Sequence, residues 1–165
     1  AIARNETYVQ AYFYLAAQLD QLDRKEAARE SLRHTLALDP DHPDALNYLG
    51  YLDAEAGRNL GEARMLIERA LAMDPENGAY LDSLGWVYFK MDRLEEAVLY
   101  LERAAELLDS DPIIFDHLGE VYFKRREFEQ ARRNWERALE LDRTQTTIQE
   151  KLQRVMSLEE SAPAR

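Results

Sequence analysis

The chain has 165 residues, 46% hydrophobic and 32% charged, with a formal net charge of −11 and no cysteine. That length suits one ordinary domain, and the missing cysteine excludes disulfides, thiolate metal sites and a cysteine nucleophile. Phosphate binders rely on clustered Lys and Arg that release counterions, so an acidic chain without a basic stripe is a poor candidate for nucleic acid or an anionic membrane surface.

Residues 1–8 read as a leading helix extension or the remnant of an upstream repeat, and a start at Ala1 without methionine is expected of a fragment or processed product. From there the sequence repeats itself. A small residue follows a long apolar one at Leu15-Ala16, Leu49-Gly50, Leu84-Gly85 and Leu118-Gly119, in steps of 34, 35 and 34. Alanines recur at Ala28, Ala63, Ala97 and Ala131, in steps of 35, 34 and 34. Thr35, Ala70, Ala104 and Ala138 form a third series, and Leu32, Ile67, Leu101 and Trp135 a series of large residues. Three registers with one period define repeats at 9–42, 43–77 (with a one-residue insertion near Gly57-Arg58-Asn59), 78–111 and 112–145.

Each repeat reads as two helices of about 14 residues, since Ala, Leu, Glu and Arg lose little side-chain freedom in a helix. Small positions let the paired helices approach, and the large series fills the volume beside them. Asp39-Pro40, Asp74-Pro75 and Asp111-Pro112 punctuate the repeats. Pro43 and Pro112 suit a first helical turn, where a missing N–H costs nothing. The spacing of Asp23/Glu26, Asn59/Glu62 and Asp92/Glu95 predicts capping boxes at the second helices. Residues 146–158 form one more amphipathic helix, with Ile148, Leu152, Val155 and Met156, expected to cap the stack, and 159–165 read as a flexible tail.

These residues resemble the tetratricopeptide repeat. The third repeat supplies Leu81, Leu84-Gly85, Tyr88, Ala97, Leu101 and Ala104, and the fourth Phe115, Leu118-Gly119, Tyr122, Ala131, Trp135 and Ala138. Ala16 replaces a glycine, Asp53 a tyrosine, and Asp109 and Arg143 stand where proline is usual. The resemblance implies an all-α fold: a right-handed superhelical α-solenoid of four helix-turn-helix units with a C-terminal capping helix. The repeat strings also resemble the carboxyl-terminal repeats of bacterial envelope lipoproteins, which implies a periplasmic setting, with a cytoplasmic adaptor as the alternative.

The resemblance further implies that the first helix of each pair lines a concave groove. The stripes left on those helices are Phe13, Ala17 and Asp20; Asn47, Tyr51 and Ala54; Asp82, Trp86 and Phe89; and Asp116, Glu120 and Phe123. Tyr14, Tyr48, His117, Lys90 and Lys124 lie on the shoulder. Aromatic rings are common energetic hot spots, and carboxylates at Asp82, Asp116 and Glu120 are expected to favour a protein or peptide ligand with an apolar anchor and neutral or basic character. The Lys and Asn set with which some relatives grip a terminal carboxylate is not kept, since Phe13, Ala17, Asp82 and Asp116 hold those places.

Catalytic chemistry finds no foothold. His117 and Glu120 are three apart, yet one such pair lacks the further ligands that a metal needs. No glycine-rich phosphate loop or strained serine turn is present, and the Glu and Arg of the second helices read as surface pairs. Arg125-Arg126 with Arg132-Arg133 reads as a solvated basic edge. No run approaches the roughly 20 apolar residues that cross a bilayer. The expected protein is therefore a non-enzymatic adaptor or scaffold without metal or cofactor. The alternatives are a self-assembling, homo-oligomeric module and a non-catalytic regulatory domain of a larger protein.

Overall fold

Apolar residues recur along the chain with the helical period, and glycine, proline and aspartate fall between the runs, so helix follows helix. The structure, a computed structural model, describes the backbone of residues 2–161 and the side chains of residues 6–158. Its helices are α1 (Ile2–Gln21), α2 (Lys25–Leu38), α3 (Pro43–Glu55), α4 (Leu60–Met73), α5 (Gly78–Lys90), α6 (Leu94–Leu107), α7 (Pro112–Lys124), α8 (Phe128–Leu141) and α9 (Thr146–Ser161). Of the expected tail, residues 159–161 belong to α9, and 162–165 lie outside the described residues, as does Ala1.

The fold is an all-α repeat of the solenoid class, and the chain divides into two compact units, Ala1–Glu76 and Asn77–Arg165. In the first, α2 packs on α1 and α3, and α3 on α4. Its core holds Ala16, Ala28, Leu32, Ala45, Leu49 and Leu52. In the second, each helix from α5 to α9 packs on the next, and α5 also meets α7. The three small series and the large series are buried throughout, as their period predicts.

Close approach explains the small residues. A Cβ on Gly50 would lie 2.8 Å from the Ala63 carbonyl oxygen, and one on Gly119 would lie 2.3 Å from Trp135 Nε1. Both distances are below van der Waals contact, so α3 and α7 can sit this near their partner helices only without a side chain at those points.

The turns within the pairs overturn one expectation. Asp23 and Asp92 do not cap the second helices. They close the first helices, in the left-handed region with φ of 56° and 62°. Gly57 and Arg126 occupy the same place in the other two turns, with φ of 64° and 62°. The next residue's N–H reaches back to the carbonyl five residues earlier, as in Arg24 to Leu19 at 2.8 Å and Glu127 to Tyr122 at 2.9 Å. This Schellman geometry satisfies carbonyls that the helix end leaves open. The second helices then start without side-chain caps at Arg24, Asn59, Arg93 and Glu127. Asn59 is itself left-handed, so its side chain does not reach the helix N-terminus.

The first helices α3, α5 and α7 carry side-chain caps. His42 Nδ1 accepts from the Ala45 N–H, Asn77 Oδ1 from Tyr80 and Asp111 Oδ1 from Ile113, at 3.2, 3.2 and 3.0 Å. Pro43 and Pro112 open α3 and α7, where their fixed φ suits the first turn.

Candidate functional site

In the first unit, the aromatic residues of the expected groove pack largely against one another and the core. Phe13, on α1, stacks on His42 at 5.0 Å between centroids and meets Tyr48 edge-on at 6.4 Å. Tyr48 donates its hydroxyl to Asp20 Oδ2 at 2.6 Å, and Lys25 pairs with the other oxygen. Burial alone would raise the Asp20 pKa, but hydrogen bonds from Lys25 and Tyr48 outweigh it and hold the carboxyl below its ordinary range. Burial, reinforced by this carboxylate, pushes the Tyr48 hydroxyl well above its ordinary value. Tyr51 packs against the same core cluster. Tyr14 is exposed, and Asn47 is half-buried with its Oδ1 lacking a hydrogen-bond partner among the described residues.

The second unit brings Asp82, Trp86, Phe89 and His117 together. His117 Nδ1 lies 2.8 Å from Asp82 Oδ1, and both side chains are buried. The imidazole stacks on Trp86 at 4.0 Å, and Trp86 stacks on Phe89 at 4.7 Å. Lys90 Nζ stands 4.9 Å from the Trp86 ring centroid and Lys124 Nζ 5.1 Å from that of Phe89. Trp86 is thus a packed ring, only 7% exposed, whereas the sequence reading has it facing a partner. Asp82 bonds to His117 instead of facing a ligand.

Asp116 and Glu120 are likewise engaged. Lys151, on α9, reaches both oxygens of Asp116 at 2.8 and 2.9 Å and Glu120 Oε1 at 2.7 Å, while Trp135 Nε1 donates to Asp116 Oδ1 at 2.9 Å. The carboxylates expected to attract a basic ligand are therefore spent on α8 and α9. Sequence reasoning missed this because α9 was read only for its apolar face.

Burial acts to lower the Lys151 pKa, but hydrogen bonds to Asp116 and Glu120 outweigh it, so the ammonium titrates above its ordinary 10.5. A raised folded pKa contributes stability that is complete below 10.5 and lost as pH rises through the folded value. The thermal midpoint of the wild type should fall over that alkaline window more steeply than that of Lys151→Met. Parallel curves for the two proteins would show that the bridge adds nothing to the docking of α9.

Phe123 closes the set. It meets Phe128 and Trp135 at 5.6 Å each, and Arg154 stands 5.1 Å from its ring centroid. Phe123 and Phe89 line an open cleft of about 540 Å³ together with Glu120, Lys124, Arg126, Phe128 and Leu158. A second depression of about 470 Å³ is lined by Glu102, Glu106, Gln130, Arg133 and Asn134 together with Ala105, Leu118 and Tyr122. At its edge the Tyr122 hydroxyl donates to Glu102 at 2.6 Å. Phe128, Leu158 and Arg126 were not legible as site residues, because they lie on a turn or on helices assigned to packing.

Short helix pairs closed by the same left-handed turn define a helical-repeat protein. Two family models, both described as tetratricopeptide repeat, match residues 51–112 and 112–145. The chain belongs to the tetratricopeptide-repeat family.

Over 68 residues, 41% of this chain, it is 41% identical to the TPR repeat-containing protein PA4667 of Pseudomonas aeruginosa. The matched stretch spans 12% of that relative's length. Among solved structures, Pseudomonas aeruginosa PilF superposes with a TM-score of 0.79 at 26% identity, covering 94% of this chain and 71% of that one. The Cut9–Hcn1 hetero-tetramer of the APC/C shares the fold, with a TM-score of 0.78 at 22% identity, covering 87% of this chain and 29% of that one. Repeats of this family are generally non-catalytic and support protein-interaction adaptors.

Proposed function

We propose that this chain is a non-catalytic scaffold that holds a segment of another protein by seating one of its apolar side chains among Phe89, Phe123, Phe128 and Leu158. The observation that carries this reading is the cleft. Most aromatic rings of the first helices are consumed in packing, yet these four residues wall an open space of about 540 Å³, within the range of pockets that hold small ligands or anchoring side chains. The carboxylates of the expected stripes, Asp82, Asp116 and the cleft-lining Glu120, are bonded within the chain, which leaves the apolar contact as the main source of affinity.

Random peptides selected on the wild type should converge on one large apolar residue. Phe89→Ala should weaken the selected peptide about tenfold, as truncating an anchoring contact does, with the helical circular dichroism unchanged. Equal binding by both proteins would remove the cleft from the reading. A mass that rises with concentration and reverts in Phe89→Ala would give the cleft to a second copy of this chain instead.

A further inference from the structure

The left-handed residue that closes each first helix is Asp23, Gly57, Asp92 or Arg126. Glycine adopts that backbone without penalty, and aspartate tolerates it better than most residues do. Arginine has no such excuse: its Cβ crowds the carbonyl, and its long side chain makes no local bond that offsets the cost. Local strain retained where better residues are available points to a use for the side chain.

A second, independent observation says where that side chain is. Arg126 lines the apolar cleft and is exposed. Among the described residues its guanidinium has no ion-pair or hydrogen-bond partner, its backbone N–H alone being engaged, with the Phe123 carbonyl at 3.0 Å. Among the described residues the carboxylates nearby are paired: Glu120 with Lys151 at 2.7 Å, which Asp116 shares at 2.8 Å, and Asp92 with Lys124 at 2.7 Å. Arg154 adds a further cation over the Phe123 ring. The cleft thus joins an apolar wall to Arg126 and Arg154, two cations without an ion-pair partner among the described residues.

We propose that Arg126 receives a carboxylate of the bound segment, so that the cleft selects an apolar side chain with Asp or Glu beside it. This rests on the reading of the cleft as the segment-binding site. The planar guanidinium fork matches a carboxylate in two parallel hydrogen bonds. The net charge of −11 does not oppose such a ligand at the cleft, because physiological salt screens exposed charges beyond about 8 Å. The partner's acidic character is therefore set by the groups at the cleft and not by the whole chain.

The test uses three short fluorescent peptides that share a central leucine and differ only in its neighbours, Glu, Gln or Lys. The wild type should bind the Glu peptide about fivefold more tightly than the Gln peptide, as one partly exposed charged contact allows, and the Lys peptide most weakly. Arg126→Asn should lose this order while melting at a higher temperature, since asparagine tolerates the left-handed backbone. Arg126→Lys should keep the order in weaker form. Equal binding of all three peptides by the wild type, or an unchanged order in Arg126→Asn, would overturn the proposal and leave the apolar cleft standing. If the wild type binds none of them, the cleft reading fails and this inference falls with it.

Discussion

Replacing Arg29 with alanine should destabilise the first unit by about 3–5 kcal/mol, the usual cost of leaving one member of a buried ion pair without its partner. Arg29 Nε donates to Asp53 Oδ1 at 2.9 Å, and each side chain is 4% exposed. The same guanidinium donates from Nη2 to the Leu52 carbonyl at 3.1 Å, which fixes the end of α3 against α2. Nη1 lies 3.0 Å from Glu26 Oε1 without hydrogen-bond geometry, so the exposed Glu26 adds little. Removing Arg29 strips the buried Asp53 of its only counter-charge among the described residues.

The size of that loss does not measure the worth of the pair. Bringing two charges out of water costs about as much as their attraction returns, so the double variant Arg29→Met, Asp53→Leu should recover most of the stability. Denaturant unfolding of the wild type, both single variants and the double variant closes the cycle. A coupling of under about 0.5 kcal/mol, the level of independent sites, would show that the pair is solvated in solution.

Gly119→Ala should destabilise the second unit by about 2 kcal/mol, even though alanine is the better helix former by about 1 kcal/mol. The new Cβ would sit 2.3 Å from Trp135 Nε1 and 2.5 Å from Cδ1. That indole cannot swing aside freely, because it is bonded to Asp116 at 2.9 Å and packed on Phe123. Gly61 is the internal control. Nothing lies within 4 Å of its Cβ position, so Gly61→Ala should stabilise by about 0.5–1 kcal/mol. Adding Trp135→Leu to Gly119→Ala should recover part of the loss, since Ala16 and Leu32 share the core of the first unit in this combination. A neutral Gly119→Ala would mean that α7 and α8 are farther apart in solution.

What the sequence made legible is what the repeat enforces. The series through Ala28, Leu32 and Thr35 is buried in every pair because a fixed period puts the same face inward each time, and Pro43 and Pro112 mark helix starts because proline tolerates few other places. The turns were misread for a definite reason. Asp at a given offset before Glu fits a capping box as well as it fits a left-handed helix end, and spacing alone does not separate the two; Gly57 in the same series was the clue. The groove was legible only as a set of positions. Trp86 and Asp82 were expected to face a partner but are buried against His117, a contact formed between α5 and α7 that no single-helix pattern encodes. Lys151 and Arg126 escaped for the same reason: their roles depend on what other elements place beside them.

Within each unit, helices pack almost entirely on neighbours in the chain, α1 on α2, α2 on α3 and so on, with α5 on α7 as the longest step. This has a kinetic meaning. Few long loops must close before contacts form, so the entropy barrier to folding is low, and microsecond-to-millisecond folding is the expected regime for such local topologies. In a nascent hairpin such as α5–α6 the two helices can pack on each other before the next helix has left the ribosome, and little apolar surface has to wait, exposed, for a distant segment to arrive.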